Sequence, residues 1–130
     1  MGLKYIWDTN TVIYYLQQQF PSSSELLMDK FANEAQPVIS AITEIELLCW
    51  KTSNDKDLDI LQNFISDSIV IELEQPIKFK TADIRKTYRI KLPDAIIAAT
   101  AIVYNLTLIT RNHTDFKNIY GIKLINPWDA

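Results

Sequence analysis

The sequence predicts an α/β domain with a mainly parallel central sheet of four to five strands flanked by helices. Three observations predict it. Short apolar, strand-like runs alternate with stretches of helical periodicity along the whole chain. That alternation implies βαβ units and hence a parallel sheet covered on both faces. The chain has 130 residues, 48% of them hydrophobic and 22% charged, which fits one domain, residues 1–130, able to bury its own core.

The elements follow in order. Residues 3–7 form the first strand. Val12, Ile13, Leu16 and Phe20 recur at helical spacing over residues 10–20, and Pro21 stops the pattern. Residues 22–34 open with serines and an acid and read as a second helix. A brief strand at 38–39 leads into a helix over 42–51. Residues 55–66 are amphipathic, with Leu58, Leu61, Phe64 and Ile65 on one side. Residues 69–71 form a strand, Pro76 begins a helix running towards Tyr88, and residues 94–105 form another. Strands at 106–110 and 123–125 complete the sheet.

Composition excludes several classes of function. One cysteine, Cys49, rules out an internal disulfide framework, and one histidine, His113, rules out a Cys/His zinc cluster. The longest uncharged stretch, residues 95–110, falls short of the ~20 apolar residues that span a bilayer, and the opening residues lack a signal peptide's apolar core. A cytoplasmic protein without membrane contact is expected. The net charge of −3 argues against a general nucleic-acid coat protein, yet residues 78–91 carry six basic residues and one acid, Asp83. Such a segment is either a solvated helix face or a local phosphate contact; in the second case Arg85, Lys86, Arg89 and Lys91 are the candidate phosphate-binding residues, with Arg111.

In right-handed βαβ units, helix N-termini and strand C-termini share one edge of the sheet, where open α/β folds place their sites. Four carboxylates fall there. Asp8 follows the first strand, Glu46 lies near the start of the helix after residues 38–39, Asp94 opens a helix, and Asp115 follows the strand at 106–110. Each also has a plainer role: Asp8 and Asp94 as helix caps, Glu46 in a capping box with Thr43, Asp115 as a surface residue. Glu46 is set apart by helical phase, because it lies about 40° from Ile42 and from Trp50, whereas Glu44 lies beside Lys51 on the expected solvent side. Carboxylates sharing a small volume repel, so protons or cations must accompany them. An all-oxygen cluster suits Mg²⁺ or Mn²⁺. Such ions activate water and stabilise phosphoryl charge, which points to phosphodiester hydrolysis. Thr9, Asn10, Ser40, Thr110 and Asn112 are placed to hydrogen-bond the acids or orient water.

Asp8-Thr9-Asn10 after an apolar strand, Ile39 to Thr43 followed by Glu46-Leu47-Leu48, Asp94 to Ala101, and Thr110-Arg111-Asn112 with Asp115-Phe116 together resemble PIN-domain ribonucleases. The similarity is to VapC-type toxins of bacterial and archaeal toxin–antitoxin pairs, and it spans nearly the whole chain. The resemblance implies a Mg²⁺- or Mn²⁺-dependent endoribonuclease, usually dimeric, inhibited by a small antitoxin. It implies that Asp8, Glu46, Asp94 and Asp115 form the acidic quartet that holds metal, supported by Thr110 and Asn112. Many relatives carry an acid where this chain has Asn112, and often a small residue where it has Trp50.

Two other readings compete. A haloacid-dehalogenase-type phosphoryl-transfer enzyme also begins with Asp after an apolar strand, but its second Asp would stand where this chain has Asn10. A PIN-like module that only binds would be expected to lack one or more of the acids, and all four are present.

Overall fold

The computed structural model describes residues 2–52 and 54–129. Five strands, β1 (Tyr5–Trp7), β2 (Val38–Ser40), β3 (Ile69–Ile71), β4 (Thr107–Ile109) and β5 (Lys123–Ile125), form one sheet in the order β3-β2-β1-β4-β5. Every pairing is parallel. In the central register Ile6 lies opposite Val38 on one side and Leu108 on the other. Helices α1 (Thr9–Leu16), α2 (Ser22–Glu34), α3 (Ala41–Leu48), α4 (Asp55–Asp67), α5 (Gln75–Thr87), α6 (Leu92–Val103) and the one-turn α7 (His113–Phe116) cover it, and a 3₁₀ turn, Pro127–Asp129, follows β5.

Successive strand side chains point to opposite faces, and the core divides accordingly. Ile6, Val38, Ile71 and Leu108 pack with Ile77 and Ile84 of α5 and with the buried alanines of α6. Trp7, Ile39 and Ile109 pack on the other face with Val12, Met28, Phe31, Leu47 and Leu61. Ala95, Ala98, Ala99 and Ala101 are all but fully buried; their short side chains let α6 lie close against the sheet and α5.

Several expected boundaries shift. The first helix stops at Leu16 rather than residue 20, because Gln18 takes a left-handed φ of 55° that no continuing helix accommodates. The third ends at Leu48 rather than 51. The sixth begins at Leu92, with Pro93 in its first turn, so Asp94 is its third residue and not its cap. The turn α7, capped by Asn112, was not expected from periodicity, since four residues are too few to display a period. Among the described residues no helix is long and apolar enough to cross a membrane.

Candidate active site

The strand order reverses direction at β1 and β4, neighbours at the centre of the sheet whose sequence neighbours lie on opposite sides. Asp8 leaves the C-terminal end of β1 and Thr110 the C-terminal end of β4. The Thr110 hydroxyl donates to Asp8 Oδ2 at 2.5 Å, and the Thr11 amide donates to Asp8 Oδ1 at 2.8 Å, which caps α1. Thr11 in turn is anchored by its hydroxyl on the Ile109 carbonyl at 3.1 Å. Burial raises the Asp8 carboxyl above its ordinary value; the Thr11 and Thr110 bonds oppose that shift, and the Glu46 charge adds to it.

Glu46 reaches the same edge from α3. Its Oε1 accepts the Thr9 hydroxyl at 2.5 Å, and that hydroxyl also lies 3.2 Å from the Thr43 hydroxyl. The proposed Thr43–Glu46 capping box is absent: Ser40 caps α3 by accepting the Ile42 amide. The buried side of α3 also differs from the helical phase expected around Glu46. The buried positions of α3 are Thr43 and Leu47, while Ile45 (54% exposed) and Cys49 face outward. Glu44 is half-buried rather than solvated. Phase counted from apolar residues failed because α3 buries a threonine and exposes aliphatics.

Asp94 is half-buried on the first turn of α6. Burial raises its carboxyl most, then the charges of Asp8, Asp115 and Glu46 in that order, with only Lys91 pulling the other way. One carboxylate thus feels the other three, although residues 8, 46, 94 and 115 come from four separate segments. Asp115 is exposed on α7, and its Oδ2 accepts the Asn112 side-chain amide at 2.7 Å. The Asn112 backbone is held in turn by the Thr110 hydroxyl at 3.0 Å. Thr110 therefore ties Asp8 to the loop that carries Asn112 and Asp115.

The remaining candidates divide. Thr9, Thr110 and Asn112 bond acids, as expected. Ser40 spends its oxygen on the α3 cap, and Asn10 is exposed at the mouth of a cavity beside Asp8. Of the cations, Arg85 donates to the Ile90 carbonyl at 2.9 Å, Lys91 acts on Asp94, and Lys86 and Arg89 are exposed. Thr11 and Thr43 were missed among the supporting residues. Thr11 had a signal, since it stands three residues after Asp8, the spacing of a helix cap.

The PIN domain family matches residues 5–122. The chain belongs to that family. Two curated relatives carry VapC names. The tRNA(fMet)-specific endonuclease VapC of Salmonella typhimurium is 28% identical, with 97% of this chain and 98% of the relative covered. Ribonuclease VapC2 of Rickettsia felis is 31% identical over 96% and 98%. Among solved structures, the DNA-bound VapBC complex of Salmonella typhimurium superposes with a TM-score of 0.82 at 25% identity, covering 97% of this chain and 99% of that one.

In this PIN domain, no three His, Cys, Asp or Glu side chains among the described residues stand close enough to share one metal ion. The quartet is an electrostatic cluster rather than a closed ligand cage. Within it the Thr9 hydroxyl holds Glu46 and the Asn112 side-chain amide holds Asp115. The donor chemistry, four carboxylates with no thiolate or imidazole among them, still fits a hard divalent ion.

Proposed function

We propose that this PIN domain is the toxin of a toxin–antitoxin pair, a metal-dependent endoribonuclease that hydrolyses RNA phosphodiesters at the Asp8, Glu46, Asp94 and Asp115 site. The coupling of Asp94 to the other three acids, opposed by Lys91 alone, carries the reading. A cluster so weakly neutralised stores repulsion that a cation relieves. The endonuclease and ribonuclease names of the VapC relatives support the reaction class, and the VapBC complex supports a protein partner.

Asp8, Glu46, Asp94 and Asp115 would hold Mg²⁺ or Mn²⁺, which when bound supplies an activated water and charge stabilisation at the phosphoryl group. The surrounding residues orient the acids. Thr110 and the Thr11 amide fix both oxygens of Asp8. Thr9 turns Glu46 towards the site, and Asn112 fixes the outer acid, Asp115. Such partners set the direction of lone pairs and keep a ligand in one rotamer. Apolar surface remains for association: a groove lined by Leu73, Ala82, Leu92 and Ile96, and the outward Ile45 and Leu48 of α3. We assign these surfaces to a homodimer contact and to an antitoxin segment whose Arg or Lys would compete with metal for the acids.

The test is cleavage of a structured RNA by the purified chain. EDTA should abolish it, and Mg²⁺ or Mn²⁺ should restore it. Cleavage unchanged in EDTA overturns the metal mechanism. Tight RNA binding without cleavage under any divalent ion would instead make the chain a binding module.

A further inference from the structure

A cavity of about 310 Å³ opens beside the acidic cluster, lined by Asp8, Asn10, Tyr14, Arg111 and Asn112. It reaches the lower end of the size range of small-ligand pockets, about 300 Å³ upward. Its wall is unusual for the neighbourhood. Four acids crowd this edge of the sheet, yet an arginine stands at the cavity and forms no ion pair among the described residues.

The position of that arginine is built. Its guanidinium carbon lies 5.2 Å from the centroid of the Trp128 ring. Trp128 is itself held by Phe20 at 4.3 Å and by an edge contact with Tyr14 at 5.4 Å. A guanidinium lying on an indole face keeps its in-plane N–H groups directed outward at the ring's rim. Those donors match the oxygens of a phosphate in a paired, planar geometry. Asn10, exposed at the same cavity, adds an amide with both donor and acceptor capacity.

We infer that Arg111, seated on Trp128, binds a backbone phosphate of the RNA strand next to the one cleaved, and that the adjoining nucleotide occupies the cavity against Tyr14. The inference rests on the endoribonuclease reading and deepens it. Electrostatics favours RNA over a protein segment here. A polyanionic strand approaching four acids needs a cation at the point of entry, and Arg111 supplies one in the wall of this cavity. The basic α5 segment does not supply this contact at the cavity, since none of its residues lines it.

The experiment measures steady-state cleavage of a fluorescently labelled RNA stem-loop, with wild type, R111Q, R111K and W128F, over a range of salt concentrations. R111Q should raise KM about tenfold, the equivalent of one charge-assisted hydrogen-bonded contact, with kcat changed far less. The slope of log affinity against log salt should fall by about 0.7, the value for one phosphate of a single strand. R111K should keep that slope while losing part of the affinity, because an ammonium retains the charge but not the fork or the stack. W128F should raise KM by a smaller factor at an unchanged slope. Thermal unfolding of each variant reports whether it remains folded; exposed Arg111 can be replaced without loss of the core, so R111Q keeps the test decisive. Cleavage by R111Q with wild-type KM and salt slope overturns the inference, including the case in which R111Q weakens only a protein partner's binding. Absence of RNA cleavage by the wild type overturns the function itself, a result distinct from either.

Discussion

Asp8 and Thr110, 102 positions apart in the chain, meet side chain to side chain at 2.5 Å where the sheet changes winding direction. Adjacent parallel strands β1 and β4 leave both residues at the same edge, so their register sets the contact. The Thr110 hydroxyl also accepts the Asn112 amide, which gives one small side chain two duties: orienting a buried acid and shaping the loop that carries Asp115.

Replacing Thr110 with valine keeps the shape and removes the hydroxyl. The Asp8 carboxyl should then rise further, because one of the bonds that opposes its burial is lost. We expect metal-dependent cleavage to fall about 10–100-fold, as is typical when a group orienting a ligand is removed. The acid limb of the pH–rate profile should move upward. A profile of unchanged position with uniformly lower rate would mean that Thr110 acts only on packing.

Asp8 and Asp94 both have carboxyls raised above the ordinary value, and this has a sign for stability. Below the ordinary carboxylate value both are protonated in the folded and unfolded chain. As pH rises through the window up to the folded values, the folded chain holds protons that the unfolded chain has released, so stability falls. In EDTA, D94N should therefore gain stability relative to wild type as pH rises above the ordinary carboxylate value of about 4, with the gain smallest at the acid end. Urea denaturation across a pH series measures it. A wild-type advantage that grows with pH would contradict the repulsion. Because Asp94 does not cap α6, no loss of a cap masks the effect, and D94N should be folded, RNA-binding and almost inactive.

The same repulsion predicts a metal effect on stability. Mg²⁺ or Mn²⁺ should raise the thermal midpoint of the wild type by binding the folded cluster. The rise should shrink in D94N. Differential scanning fluorimetry with and without EDTA reads both.

Glu46→Gln should remove most activity, whereas Glu44→Gln should leave it within about twofold, since Glu44 is half-buried on α3 but bonds none of the four acids or their supporting threonines. Thr9 provides the sharper comparison, because its hydroxyl holds the Glu46 carboxylate. T9V should lower activity, and the T9V and E46Q effects should be strongly non-additive, as expected of residues in direct contact. Additive losses in kcat/KM would show that the two act separately.

On the basic segment, neutralising Lys86 and Arg89 should weaken RNA binding and flatten its salt dependence. R85Q should act differently, because the Arg85 guanidinium is engaged with the Ile90 carbonyl. Its removal should loosen the turn between α5 and α6 and change the salt slope less. Filter binding in Ca²⁺ over a salt series distinguishes the two behaviours.

The α/β architecture, the strand positions and the candidate acids at one edge were legible in the sequence itself. Periodicity reports which side chains face a core, and the βαβ rule converts that order into a shared edge. Asp8, Glu46, Asp94 and Asp115 could be named without knowing the strand order. What the tertiary structure alone decided is how these residues are held. The cap role fell to Asp8 and Ser40 and not to Asp94, because Pro93 set the start of α6 two residues earlier than the acid. The buried side of α3 proved to be Thr43 and Leu47, since burial follows the neighbours a helix meets rather than its own apolar count. Likewise the pairing of Thr110 with Asp8, of Thr9 with Glu46 and of Arg111 with Trp128 joins segments far apart in the chain. Local sequence encodes propensity and period over a few turns. Contacts between distant segments depend on strand register and on the close approach of helices, which exist only once the sheet has assembled.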